Sequence, residues 1–76
     1  MKRIPVESSM LAEIGYDPKE QILELKFNSG QVYQYFEVPP EVYQDMLEAE
    51  SKGSFFKSEI DGSYGYAKVS PTRRRR

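Results

Sequence analysis

The heptapeptide QILELKF, residues 21–27, is bounded by two different turn signals, and those two turns constrain the fold more than any other feature. Leu23, Leu25 and Phe27 alternate with polar residues, the period of a strand with one apolar face. Asp17-Pro18-Lys19-Glu20 precedes it, with Asp and Pro at the first two positions of a type I turn. Asn28-Ser29-Gly30 follows, a three-residue hairpin loop with Gly30 where positive φ is needed. The segments MLAEIGY (10–16) and QVYQYFEV (31–38) on either side therefore read as partner strands.

The turns also predict a register. A four-residue turn over 17–20 pairs Tyr16 with Gln21, so Ile14 faces Leu23 and Ala12 faces Leu25. A loop over 28–30 pairs Phe27 with Gln31, so Leu25 faces Tyr33 and Leu23 faces Tyr35. Both turns collect Met10, Ala12, Ile14, Leu23, Leu25, Phe27, Tyr33 and Tyr35 on one face, and a one-residue slip would reverse all of them. The opposite face, with Leu11, Glu13, Ile22, Glu24, Lys26, Val32, Gln34 and Phe36, is expected to be solvated. This register sets Glu13 directly across from Glu24, an unfavourable like-charge pair.

Beyond the strands, VPPEVYQDMLEAESKG reads as a helix. Pro40 and Glu41 suit its first turn, and Val42, Met46, Leu47 and Ala49 form an apolar stripe. Gly53 is the expected stop. Ser54 is placed to cap a second short helix, FFKSEI, with Phe56 and Ile60 one turn apart and Gly62 at its end. YGYAKV (64–69) suits a last extended segment, and residues 1–7 a loose lead-in. The expected fold is α+β: a small antiparallel three-stranded β-meander covered on one face by two short C-terminal helices. Residues 1–70 are expected to form one domain, and residues 71–76 a disordered basic tail.

Composition narrows the chemistry. A chain of 76 residues has a modest core. It contains no cysteine and no histidine. Disulfides, thiolate zinc sites and Ser-His-Asp or Cys-His catalysis are thereby excluded, and no metal or cofactor is expected. No apolar run has the ~20 residues of a membrane span, and MKRIPVESS lacks the apolar segment of a signal peptide, so a cytoplasmic location is expected. The net charge is −1. Taking the four terminal arginines from the 11 Lys+Arg leaves seven against 12 Asp+Glu, so an acidic body of net −5 carries a basic end.

The order of these segments resembles the KTSC domain family. The resemblance rests on Ser8-Ser9, GYD at 15–17, LELKFNSG at 23–30, VYQYFEVP at 32–39, SKGSFFKSEI at 51–60 and Tyr64, over roughly residues 6–69. That family occurs at the C-terminus of some lysyl-tRNA synthetases and as small bacterial and phage proteins. The family has no established activity, and the association implies RNA as a partner. Members often carry Asn and basic residues in and after the second helix, where this chain has Glu59 and Asp61.

Four groups of residues are candidates for function. Tyr33 and Tyr35 are either core residues with their hydroxyls at the rim or a base-stacking platform; the register points them inward. Ser8 and Ser9 either start the first strand by local hydrogen bonds or join Lys52, Ser54, Lys57 and Tyr64 around an anion at the second helix's N-terminus. Arg73, Arg74, Arg75 and Arg76 are a solvated end or a salt-sensitive tether for nucleic acid. Glu13 and Glu24 are a carboxylate pair, but an open sheet face without a cleft argues against acid–base catalysis. The expected function is a small non-catalytic binding module, with RNA as the implied partner. The alternative is an accessory protein that sequesters a small nucleotide-like or anionic ligand or binds a protein partner. The sequence leaves the oligomeric state open.

Overall fold

The computed structural model describes residues 2–69. It shows β1 (Arg3–Pro5), β2 (Leu11–Asp17), β3 (Ile22–Phe27), β4 (Val32–Tyr35), α1 (Pro40–Glu48), α2 (Lys52–Phe55) continuing as a π-helical turn over Phe56–Ile60, and β5 (Tyr66–Val69). The strands form one antiparallel sheet in the order β1-β2-β3-β4-β5. The α+β architecture is as expected, but the sheet has five strands rather than three. Residues 3–5, expected to be a loose lead-in, pair with β2 through Ile4 opposite Ile14. Residues 66–69 add a strand beside β4, with Tyr66 opposite Tyr35.

The second hairpin has the expected register: Leu25 faces Tyr33 and Leu23 faces Tyr35. Gly30 takes φ +99°, and the Phe27 and Gly30 amides close the loop on Gln31 and Phe27 carbonyls at 2.8 Å each. The first hairpin does not. Asp17 Oδ1 accepts from the Lys19 and Glu20 amides at 3.0 and 3.2 Å, so the expected turn forms. Gln21 then adopts φ +57° and joins the loop while Asp17 joins the strand, so the four-residue loop moves one residue along, to 18–21. Tyr16 consequently faces Leu23 and Ile14 faces Leu25. The change is a two-residue offset, so Ile14 and Tyr16 keep the helix-facing side of the sheet. A bulge between Leu11 and Glu13 corrects the far end: Leu11 pairs with Phe27 and is fully buried, and Ala12 is the extra residue. The expectation that Leu11 faces solvent and Ala12 the core is overturned.

The core comprises Leu11, Ile14, Leu23, Leu25, Tyr35, Val38, Met46, Phe56 and Ile60. Val38 enters it through a chain reversal at Glu37, φ +59°. The Val38 amide donates to the Gln21 carbonyl at 2.9 Å, and its carbonyl accepts from the Tyr16 hydroxyl. The Tyr16 ring stacks on Tyr43 of α1, centroids 4.7 Å apart, which fixes α1 on the sheet. α1 ends at Glu48 rather than at Gly53. Gly53 lies inside α2, where its missing side chain makes room for Met10; a Cβ there would lie 3.3 Å from the Met10 Cβ. The α2 cap is Ser51, whose hydroxyl accepts from the Ser54 amide, so Ser54 is the capped residue rather than the cap. The Asp61 amide donates to the Phe56 carbonyl at 2.8 Å, closing the wider π turn that sends both Phe56 and Ile60 inward.

The face away from the helices is not uniformly solvated. Glu24 lies opposite Gly15 and Gln34, not Glu13, which faces Lys26. Glu24 is only 7% exposed. Arg3 Nη1 donates to Glu24 Oε2 at 2.7 Å, Gln34 Nε2 donates to Oε1 at 2.8 Å, and Arg3 Nε donates to Glu13 Oε1 at 2.8 Å. The Arg3 stem crosses Gly15, where a Cβ would lie 2.8 Å from Arg3 Cγ. One arginine thus bridges both carboxylates, and the expected repulsion is replaced by an ion-pair network.

Candidate functional site

The helices rest on β2, β3 and part of β4, and leave the helix-facing side of β5 open. A row of rings crosses this boundary. Phe56 of the π turn meets Phe27 and Tyr35 edge-on at 5.3 and 5.8 Å. Phe27 meets Tyr33 edge-on at 5.7 Å. Tyr66 then lies 5.9 Å from Tyr33 and 5.6 Å from Tyr35. Exposure rises along the row: Tyr35 is buried, Tyr33 is half-buried, and Tyr66 is 61% exposed. Lys68, also exposed, pairs with Tyr33 and so shares that side of the sheet. An aromatic shelf with a cation beside it therefore continues the core into solvent.

Tyr35 is the inner anchor. Burial first, and then the charges of Asp61, Tyr33 and Tyr66, push its phenol up to about 12. A phenol raised in the folded state stabilises the fold fully below the unfolded value near 10, and that contribution disappears as pH rises through about 12. Between these limits the native protein is expected to lose on the order of 2 kcal/mol from this group. Tyr35→Phe should unfold with a shallower alkaline limb in urea titrations across that range. An identical limb in both proteins would contradict the assignment.

The other expected site residues are mostly occupied with local structure. The Ser8 hydroxyl accepts from the Met10 and Leu11 amides at 3.1 and 3.2 Å, the strand-starting role, while Ser9 is exposed. Lys52 Nζ donates to the Ala49 carbonyl at 2.9 Å, at the end of α1. Ser54 pairs with Ser51, Lys57 is exposed, and Tyr64 packs on the edge of the core. Met10 against Gly53 does bring the start of β2 to α2, but the polar groups there turn toward backbone. Arg73, Arg74, Arg75 and Arg76 lie outside the described residues. No cluster of three metal-ligating side chains occurs among the described residues. No helix among them is long and apolar enough to cross a membrane.

Tyr66 and Lys68 are the shelf residues that sequence reasoning missed. Their alternation in YAKV was the available signal, but only the β4–β5 register places them beside Tyr33 and Tyr35. A second concavity was also missed. It is a cleft of about 520 Å³ between the β4–α1 and α2–β5 connections, lined by Phe36, Glu37, Ser63, Tyr64 and Gly65.

Known proteins resemble this chain in sequence and in fold. A protein of Stutzerimonas stutzeri is 55% identical over 56 residues, covering 74% of this chain and 79% of its own length. The lysine–tRNA ligase of Nostoc punctiforme is 41% identical over 64 residues, 84% of this chain but 11% of the ligase. The crystal structure of a KTSC domain protein from Yersinia pestis superposes with a TM-score of 0.89 at 40% identity, covering 91% of this chain and 97% of that one. The KTSC domain model itself matches residues 7–64, from the turn before β2 to the connection before β5. With the family model and the superposed structure in agreement, the chain belongs to the KTSC domain family.

Proposed function

We propose that this domain is a non-catalytic binding module for single-stranded RNA, with the Tyr66 and Tyr33 rings as its stacking surface and the buried Tyr35 behind them. The observation that carries this reading is the exposed Tyr66 ring, held beside Tyr33 at the uncovered edge of the sheet with Lys68 on the same side. An aromatic ring held in register by a strand loses little freedom when a base stacks on it, and each such stack contributes about 1–3 kcal/mol. The Nostoc ligase, which carries a related region, supports RNA as the class of polyanion. The acidic body provides no broad basic surface, so phosphate contacts are few and affinity depends on stacking more than on charge.

Fluorescence anisotropy of a short labelled single-stranded RNA tests this. Tyr66→Ala should weaken binding about tenfold while leaving the unfolding midpoint unchanged, because the ring is mostly exposed. Tyr66→Phe should retain most of the affinity. Truncation after Ser70 should leave a measurable, less salt-sensitive complex between about 50 and 200 mM salt. Equal affinity of the parent protein and Tyr66→Ala would refute the stacking surface.

A further inference from the structure

The cleft beside the shelf has a chemistry of its own. It begins one residue beyond the Tyr35–Tyr66 rung, where the Phe36 amide donates to the Gly65 carbonyl at 2.9 Å. Its volume, about 520 Å³, falls within the range of small-ligand sites, roughly 300–1,000 Å³. Its lining includes the aromatic residues Phe36 and Tyr64, the acidic Glu37 and the hydroxyl-bearing Ser63, and no lining residue is cationic. Such a lining does not recognise phosphate. It offers acceptors to a flat group that carries donors on its edge.

Glu37 is the discriminating residue. Its backbone is in the left-handed region, φ +59°, where Gly or Asn would be less strained. What glutamate adds at this position is the carboxylate. Both ion pairs among the described residues involve Arg3, so the Glu37 carboxylate remains available to a ligand. A carboxylate is acceptor-only, with two oxygens that bind two parallel donors. Among the RNA bases, guanine alone presents two adjacent donors on its Watson–Crick edge, the N1–H and the N2 amino group. Adenine and cytosine each present one amino group beside a ring acceptor, and uracil flanks its single N–H with carbonyls.

We infer that the cleft is a guanine-selective base site, with Glu37 accepting from N1–H and N2–H and Phe36 or Tyr64 packing on the ring. This inference rests on the nucleic-acid reading above and deepens it. The shelf stacks bases without preference, and the adjoining cleft selects one of them.

The experiment titrates GMP, AMP, CMP and UMP separately into ¹⁵N-labelled protein and follows the Phe36, Ser63 and Gly65 amides. GMP should bind about tenfold more tightly than the other three, the scale of one charge-assisted hydrogen-bond pair. Glu37→Gln, which replaces one acceptor by a donor, should reduce that preference to within about twofold. Glu37→Gly removes the carboxylate while relaxing the backbone. It should fold at least as stably and also lose the preference, which separates recognition from folding. Equal shifts from all four nucleotides, no shift in the cleft, or a guanine preference that survives in Glu37→Gly would overturn the site. Tyr66-dependent RNA binding without guanine preference would overturn this inference and leave the stacking module intact. Guanine-selective cleft shifts without RNA affinity would support the site and overturn the stacking surface.

Discussion

Leu11→Ala is expected to lower the unfolding free energy by about 3 kcal/mol, and Ala12→Ser by less than about 1 kcal/mol. The two neighbours differ because of the β2 bulge. Leu11 pairs with Phe27 and is fully buried, whereas Ala12 is the additional residue that relieves the hairpin's offset. Truncating Leu11 removes three carbons from a core whose helices and sheet are tied by short connections, so the cavity collapses only partly. A domain of this length has roughly 4–11 kcal/mol in total, at about 0.05–0.15 kcal/mol per residue. The substitution therefore removes a large share, and the thermal midpoint should fall by about 12–24 °C. Circular dichroism melts of the two variants check this. A small effect at Leu11 together with a large one at Ala12 would show that the strand runs in the simpler register that the turn residues imply.

Arg3→Ala is expected to cost about 2 kcal/mol, more than an exposed ion pair would. The reason is Glu24. Its carboxylate keeps Gln34 as a partner but loses the only cation that contacts it among the described residues, in a place where water has little access. The Arg3–Glu13 half of the network is about one-third exposed and contributes little. The double variant Arg3→Met, Glu24→Leu should recover to within about 1 kcal/mol of the parent, since no buried charge is left unpaired and Glu13 is partly exposed. The same comparison at raised salt should leave the Arg3→Ala deficit largely in place, because burial limits screening. A deficit that vanishes with salt, or a double variant no better than Arg3→Ala alone, would show that Glu24 is solvated.

The legible parts of this fold are those whose backbone demands a particular residue. Gly30 announces a positive φ, and the β3–β4 register follows rung for rung. Gln21 and Glu37 adopt the same region without being glycine, and nothing local announces them. That is why the first hairpin shifts and why the bulge at Ala12 is invisible beforehand. β1 has three residues and contains Pro5, too short to show a period; what holds it is Arg3 reaching across Gly15 to Glu24, a contact that exists only once the sheet is built. The helix boundary was misplaced because Gly53 serves packing against Met10 rather than termination. For the site, Tyr33 and Tyr35 were readable as inward-facing from alternation. Tyr66 was not, since its neighbours come from a strand more than thirty residues earlier in the chain. The cleft depends on two connections meeting in space, which no local pattern encodes.

The most direct test of the stacking surface is ring-resolved NMR. With ¹³C-labelled tyrosine, titration of a short single-stranded RNA at low salt should move the Tyr66 and Tyr33 ring resonances together. Tyr16 and Tyr43, stacked on each other beside α1, should stay in place. Shifts at Tyr16 and Tyr43 with Tyr33 and Tyr66 unmoved, or no ring shift at any RNA concentration, would contradict the account.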